Sequence, residues 1–163
     1  MKLYTVRSRK HLHPFTASGY AGRWNKEDQW VVYAAESRSL ASLEWLISRG
    51  GRLLSDDYVL ITMEFLALKN EDVFKVNPDH LPIHWRALSA YSSLQQIGSN
   101  WYKERNEIIL SVPSALIPQE RNFVLHLPRI GGALDRFVLE IEPVNGLGRI
   151  QWKVFFYIII YIM

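Results

Sequence analysis

The stretch VVYAAESRSLASLEWLISRGG, residues 31–51, joins a short apolar strand to an amphipathic helix and decides the predicted fold. The β-branched and aromatic residues of 30–35 predict a strand, and Ser37 is a good N-cap for the helix that follows. Gly50 and Gly51 are typical of the end of such a helix. A buried strand that leads into a capped helix predicts a domain in which helices flank a sheet.

Further strands are predicted on both sides of this stretch, at residues 2–8, 57–65, 106–112 and 136–142. A second helix is predicted at 92–104, with Gly98 as an interruption. Because the strands and helices do not alternate as repeated βαβ units, the pattern favours an α+β fold with a mixed or antiparallel sheet. A chain of 163 residues suits a single domain.

Composition narrows the classes of function. The formal charge is only +3, and the densest group of cations, Arg7, Arg9 and Lys10, is short, which argues against a dedicated nucleic-acid groove. The chain has no cysteine, which excludes thiolate metal sites and disulfides, and the histidine spacings do not favour a metal site. The N-terminal residues lack the apolar segment of a signal peptide, so we expect a cytoplasmic protein.

The apolar run VFFYIIIYIM, residues 154–163, ends a C-terminal tail that we place at 143–163. The run is about half as long as the roughly 20 residues that a membrane-spanning helix needs. Its β-branched and aromatic residues favour a buried or partner-covered strand over a membrane anchor.

Two charged residues have positions that admit both structural and functional interpretations. On the predicted helix, Leu40, Leu43, Leu46 and Ile47 form one apolar arc, and Glu44 lies at the edge of that arc. Glu44 therefore needs either a structural ion pair or a solvated cleft. In GYAGRWN, residues 19–25, Arg23 either packs on Trp24, pairs with Glu27, or binds an anion.

Six motifs occur in an order and spacing that resemble the RES domain. They are GRWN (22–25), VVYAAES (31–37), LASLEWL (40–46), LPIHW (81–85), QIGSNW (96–101) and VPSALIPQERN (112–122). The resemblance covers residues 1–142. It implies a fold related to ADP-ribosyltransferases, with a split sheet, and a bacterial toxin of a toxin–antitoxin pair that degrades NAD+ by hydrolysis or phosphorolysis. The implied partners are NAD+ as substrate, inorganic phosphate and an antitoxin with an Xre-type DNA-binding domain. No metal, direct nucleic-acid contact or membrane is implied.

The resemblance also implies roles for individual residues. Arg23, Glu44 and Ser114 match the family's catalytic positions, and Arg23, Tyr33 and Ser114 match positions that bind NAD+. The family often has an arginine where this chain has Thr5. Arg7 would share the strand face of Thr5 and is the candidate replacement for that phosphate contact.

The chemistry of NAD+ cleavage suits a single carboxylate. Nicotinamide leaves as a neutral molecule and needs no proton from a second acid, whereas the ribose carbon gains positive charge. Glu44 is suited to stabilise that charge. Two alternatives remain open: transfer of ADP-ribose to a macromolecule, and an interaction module of RES type without activity.

Overall fold

The computed structural model describes residues 1–12, 17–51, 57–131, 137–143 and 153–154. The chain divides into two compact units. Unit 1 comprises residues 1–16, 34–68 and 131–163, and unit 2 comprises residues 17–33 and 69–130. In chain order, the strands and helices are β1 (Lys2–Ser8), β2 (Val31–Ala35), α1 (Arg38–Ser48), β3 (Tyr58–Phe65), β4 (Val73–Lys75), α2 (Tyr91–Glu104), β5 (Ile109–Pro113), β6 (Arg121–His126), α3 (Leu127–Gly131), β7 (Phe137–Pro143) and β8 (Lys153–Val154).

Unit 1 contains antiparallel strands in the order β2-β1-β3-β7-β8, of which β2 contributes only its last residues, 34–35. Ile61 in the central strand β3 lies opposite Thr5 of β1 on one side and opposite Ile141 of β7 on the other. Residues 59–63 of β3 are all buried, as expected for a strand with a neighbour on each side and covered faces.

Helix α1 packs on β1 in unit 1. The Ser37 hydroxyl accepts a hydrogen bond from the backbone N–H of Leu40 at 3.0 Å, which confirms the predicted N-cap. At the other end, Gly50 and Gly51 adopt positive φ angles of 66° and 80°. The Gly51 N–H reaches back to the carbonyl of Leu46 at 2.9 Å, so the predicted glycine termination is also confirmed.

Unit 2 contains the strand order β4-β5-β6-β2, with residues 31–33 of β2 at one end. Strands β4 and β5 are parallel, whereas β5 and β6 are antiparallel. The Arg121 side chain links three strands of this sheet: its Nε donates to the Ser111 hydroxyl at 2.7 Å, and its Nη2 donates to the carbonyls of Ser111 at 2.8 Å and Val76 at 3.0 Å. Val76 directly follows β4, so Arg121 fastens this three-residue strand to the sheet.

Helix α2 supplies much of the unit 2 core. Leu94 and Trp101 of α2 pack with Trp24 and with buried residues of β5 and β6. The Arg129 guanidinium donates to the carbonyl of Tyr102 at 2.8 Å and thereby caps the C-terminal end of α2. His126 is 6% exposed and stacks on the Tyr102 ring at 4.0 Å.

These elements confirm the predicted α+β class with mixed and antiparallel strand pairing. The predicted interruption of α2 at Gly98 is wrong, because the helix is continuous from Tyr91 to Glu104. Strands β4 and β6 and helix α3 were not predicted. The single-domain boundaries and the relation to ADP-ribosyltransferases stay predictions. Of the apolar run 154–163, only Val154 lies within the described residues, where it pairs with Leu139. No helix among the described residues is long and apolar enough to cross a membrane.

Candidate functional site

The GRWN turn of unit 2 is closed by short backbone contacts. The Gly22 N–H donates to the carbonyl of Asn25 at 3.0 Å, and the Asp28 N–H donates to the carbonyl of Gly19 at 2.9 Å. A Cβ atom on Gly22 would lie 2.7 Å from both the Asn25 side-chain oxygen and the Tyr33 hydroxyl. A larger residue at this position would force the Asn25 and Tyr33 side chains to shift, because real Cβ atoms do not approach other atoms so closely.

The Tyr33 hydroxyl holds the same turn from β2. It accepts a hydrogen bond from the Trp24 N–H at 2.9 Å and donates one to the Asn25 side-chain oxygen at 2.8 Å. Burial raises the pKa of Tyr33 above its ordinary value, with a smaller opposing effect of the bond from Trp24. The phenol therefore stays neutral at physiological pH and positions the turn as a hydrogen-bonding group.

Arg23 is held by backbone carbonyls. Its Nη1 donates to the carbonyl of Trp85 at 3.1 Å and to that of Arg86 at 3.0 Å, and its guanidinium carbon lies 4.6 Å from the centre of the Tyr91 ring. Among the described residues of unit 2, no carboxylate pairs with Arg23. The structural alternative of an ion pair with Glu27 is therefore not what holds this side chain.

Helix α2 approaches the GRWN turn very closely. The Gln95 side chain donates to the carbonyl of Gly22 at 2.8 Å. A Cβ atom on Gly98 would lie only 1.6 Å from the carbonyl oxygen of Trp24. The glycine that looked like a helix interruption in the sequence is thus the residue that lets α2 contact the turn.

Ser114 lies in unit 2 at the start of the turn after β5 and is completely buried. Its hydroxyl accepts hydrogen bonds from the backbone N–H groups of Leu116 at 3.1 Å and Ile117 at 3.2 Å. Its own N–H donates to the carbonyl of Glu120 at 2.9 Å. The hydroxyl therefore organises the turn.

Glu44 lies in unit 1, half-buried on the inward side of α1. The two most deeply buried residues of the helix are Leu40 and Ala41, which are 0% and 6% exposed. Glu44 lies about one turn of the helix after them. The predicted inward position of Ile47 is wrong, because Ile47 is 56% exposed. The buried face is centred on residues 40 and 41, and this places Glu44 further inward than the sequence indicated.

Arg7 also lies in unit 1, on β1 opposite Val59 of β3. Thr5, two residues earlier on the same strand face, is buried. Burial lowers the pKa of Arg7 to about 10. The Arg7 guanidinium is therefore still charged at neutral pH.

Residues 2–142 match the family model of the RES domain. The chain belongs to the RES domain family. Toxin Res of Yersinia enterocolitica is 32% identical over 132 residues, which cover 77% of this chain and 84% of that protein. Toxin Res of Photorhabdus laumondii is 35% identical over 107 residues, which cover 66% of this chain and 67% of that protein. A protein of a Sphingobium strain called Prs ADP-ribosylating toxin is 35% identical over 107 residues, which cover 64% of this chain and 65% of that protein.

Within unit 2 of this RES domain, the structure brings four of the sequence motifs together. GRWN, VVYAAES, LPIHW and QIGSNW meet through Arg23, Tyr33, Trp85 and Gly98. Glu44 and Arg7 belong to unit 1. The roles of Arg23, Tyr33, Glu44, Ser114 and Arg7 toward a ligand stay predictions. Tyr91 and Gln95 were not singled out from the sequence, although their spacing of four residues puts both on one face of a helix.

Proposed function

We propose that this RES domain is a toxin that cleaves the bond between nicotinamide and ribose in NAD+. The proposal is supported by membership in the RES domain family and by relatives that carry the name Toxin Res. The single structural observation that carries it is the way in which hydrogen bonds hold the Arg23 side chain. Among the described residues this guanidinium is held through Nη1 by two carbonyls, and Nε and Nη2 remain as a pair of donors that can contact two oxygens of a phosphate group of NAD+.

The proposed reaction balances without a metal or a general acid. The bond between the anomeric carbon and the nicotinamide nitrogen breaks, its electron pair goes to nicotinamide, and nicotinamide leaves neutral. Water then attacks the anomeric carbon and releases one proton to solvent, or inorganic phosphate attacks and forms ADP-ribose 1″-phosphate. In this proposal Glu44 stabilises the positive charge on the ribose as the bond breaks.

The other candidate residues take supporting roles in this proposal. Arg7 remains charged at neutral pH and is suited to a second phosphate contact. The Tyr33 hydroxyl is engaged by the turn, so its ring rather than its hydroxyl is the surface offered to nicotinamide. Ser114 acts through the turn that it organises and through its hydroxyl. An Xre-type antitoxin is the proposed inhibitory partner, and the bacterial cytoplasm is the proposed location.

The proposal is tested by incubating the purified chain with NAD+, with and without phosphate, and measuring free nicotinamide. We expect release by the wild type and a loss of at least about 100-fold in Glu44→Gln, since a neutral amide cannot stabilise the ribosyl cation. Glu36→Gln is the matched control, because Glu36 is an exposed residue just before the same helix. No release by folded wild type, or equal rates in the wild type and Glu44→Gln, would refute the proposal.

Arginine exchange provides an independent arm of the same test. Arg23→Lys keeps the positive charge but loses the planar pair of donors, so we expect weaker NAD+ binding. Arg49→Lys is the control, since Arg49 is an exposed arginine at the end of α1. An unchanged KM in Arg23→Lys would exclude Arg23 as the phosphate contact.

A second candidate function is transfer of ADP-ribose to a macromolecule. The observation that favours it is the 35% identity to the Sphingobium protein called an ADP-ribosylating toxin. NAD+ labelled in its adenine moiety distinguishes the two functions. Hydrolysis and phosphorolysis leave the label in small soluble products, whereas transfer puts it on a protein or nucleic acid of a bacterial extract.

A further inference from the structure

One face of α2 contacts three consecutive residues of the GRWN turn. Tyr91, Gln95 and Gly98 are spaced by four and then three residues, so they lie along a single side of the helix. In the same order they contact Arg23 through its guanidinium, Gly22 through its carbonyl and Trp24 through its carbonyl. Helix and turn therefore fit together over two turns of the helix.

Each contact restricts a different freedom of Arg23. The Tyr91 ring lies 4.6 Å from the guanidinium carbon and limits tilting of the guanidinium plane. The Gln95 amide fixes the carbonyl of Gly22, the residue directly before Arg23, at 2.8 Å. Gly98 lets the helix backbone come close enough for the other two contacts.

The carbonyls of Trp85 and Arg86 complete the arrangement from a neighbouring loop. They bind only the Nη1 atom of Arg23, at 3.1 and 3.0 Å. Because both bonds go to one nitrogen, the guanidinium plane can still tilt about that nitrogen, and another group must restrain this motion. The Tyr91 ring is the described group of unit 2 that is placed to do so.

We propose that the α2 face of Tyr91, Gln95 and Gly98 sets the orientation of the Arg23 guanidinium for its anionic ligand, with Tyr91 and Gln95 as positioning residues. The inference rests on the proposed function in taking a phosphate of NAD+ as that ligand. An arginine that is already oriented binds its ligand with a smaller loss of side-chain entropy. The phosphate contact of Arg23 contributes the same binding free energy in the ground state and in the transition state. Loss of the Arg23 orientation therefore raises KM and leaves kcat unchanged.

The first experiment measures NAD+ kinetics in matched variants. Tyr91→Leu keeps an apolar side chain but removes the ring, and we expect KM to rise roughly 3- to 10-fold. Tyr91→Phe restores the ring and should restore KM. Gln95→Ala should raise KM by roughly 2- to 10-fold, whereas Gln96→Ala is the control, because Gln96 bonds the exposed Lys26 side chain and not the turn. An active wild type whose KM is the same in Tyr91→Leu and Gln95→Ala overturns the inference.

The second experiment does not depend on NAD+ cleavage. Phenylglyoxal modifies accessible arginines, and peptide mass mapping gives the rate at Arg23 itself. Loss of the ring should speed modification of Arg23 several-fold in Tyr91→Leu, with Tyr91→Phe at the wild-type rate and Arg49 unchanged throughout. If the wild type does not cleave NAD+ but these rates differ as stated, the proposed function fails while the positioning by α2 stands. Equal Arg23 rates in the wild type, Tyr91→Leu and Gln95→Ala overturn the positioning itself.

Discussion

Replacing Gly98 by alanine tests whether α2 really contacts the GRWN turn through its backbone. The added Cβ would lie 1.6 Å from the carbonyl oxygen of Trp24 and 2.7 Å from its carbonyl carbon. Heavy atoms reach their best separation near 3.5 Å, so helix and turn must separate by roughly 2 Å. Such a shift is larger than a side-chain rearrangement can absorb, because both partners are backbone.

The expected loss of stability follows from three contributions. Overpacking against a rigid neighbour costs about 3 kcal/mol, and loss of the Gln95 bond to the turn costs about 1 kcal/mol. Alanine regains about 1 kcal/mol through its higher helix propensity. The net expectation is a free energy of unfolding about 3 kcal/mol lower than that of the wild type.

Urea denaturation followed by circular dichroism measures this change. With an m-value of about 2 kcal/mol/M, the midpoint should fall by roughly 1.5 M. Gly50→Ala is the matched control: nothing lies within 4 Å of its added Cβ, and only its φ angle of 66° opposes the substitution. That control should lose about 1 kcal/mol. A Gly98→Ala protein more stable than the wild type, as helix propensity alone predicts, would refute the close approach.

Further predictions concern three other side chains. Burial lowers the pKa of His126 to about 4, so the unfolded chain binds the proton more tightly than the folded protein does. The free energy of unfolding should therefore fall as the pH drops from about 6.5 to 4. This loss should be roughly 3 kcal/mol larger in the wild type than in His126→Asn. Ser114→Ala leaves two backbone N–H groups of a buried turn without the hydroxyl oxygen that accepts from them, and the free energy of unfolding should drop by about 1–3 kcal/mol in urea denaturation. Arg38→Met breaks a bidentate pair with Glu142, but the pair is partly exposed, so calorimetry should show a loss of at most about 1 kcal/mol.

Each of these predictions can be contradicted by one measurement. Identical pH profiles for the wild type and His126→Asn would mean that the imidazole is not neutral and buried as described. Full stability of Ser114→Ala would show that the turn does not depend on the hydroxyl. A loss of several kcal/mol in Arg38→Met would mean that the pair is shielded from solvent far better than its exposure indicates.

Local signals in the sequence predicted α1 and most strands well. Ser37 and the pair Gly50 and Gly51 marked the ends of α1, since capping depends on residues next to the helix. Strand β4 could not be predicted, because three residues carry no periodicity and its parallel pairing with β5 joins distant parts of the chain. Strand β6 was not predicted either: it carries several buried residues in a row, and pairing with β5 fixes its register.

The candidate site residues were chosen from the sequence and stay predictions, whereas the contacts that hold them come from the structure. Arg23 was selected for the charge and planarity of its side chain, and the structure adds the carbonyls and the ring that hold it. Neither Tyr91 nor Gln95 could be recognised, because their contacts depend on packing between α2 and a turn some seventy residues away in sequence. Gly98 was misread for the same reason, since helix propensity describes an isolated helix.

The brevity of β4 has a consequence for how the molecule behaves in a crowded cell. It stands at one end of the strand order of unit 2, where an open edge can recruit a strand from another molecule. Three residues offer few free backbone groups, and Pro78, soon after the strand, has no N–H to contribute. Arg121 keeps this short strand attached to the sheet. The edge strand of unit 2 therefore offers few backbone groups for pairing with a strand of another molecule.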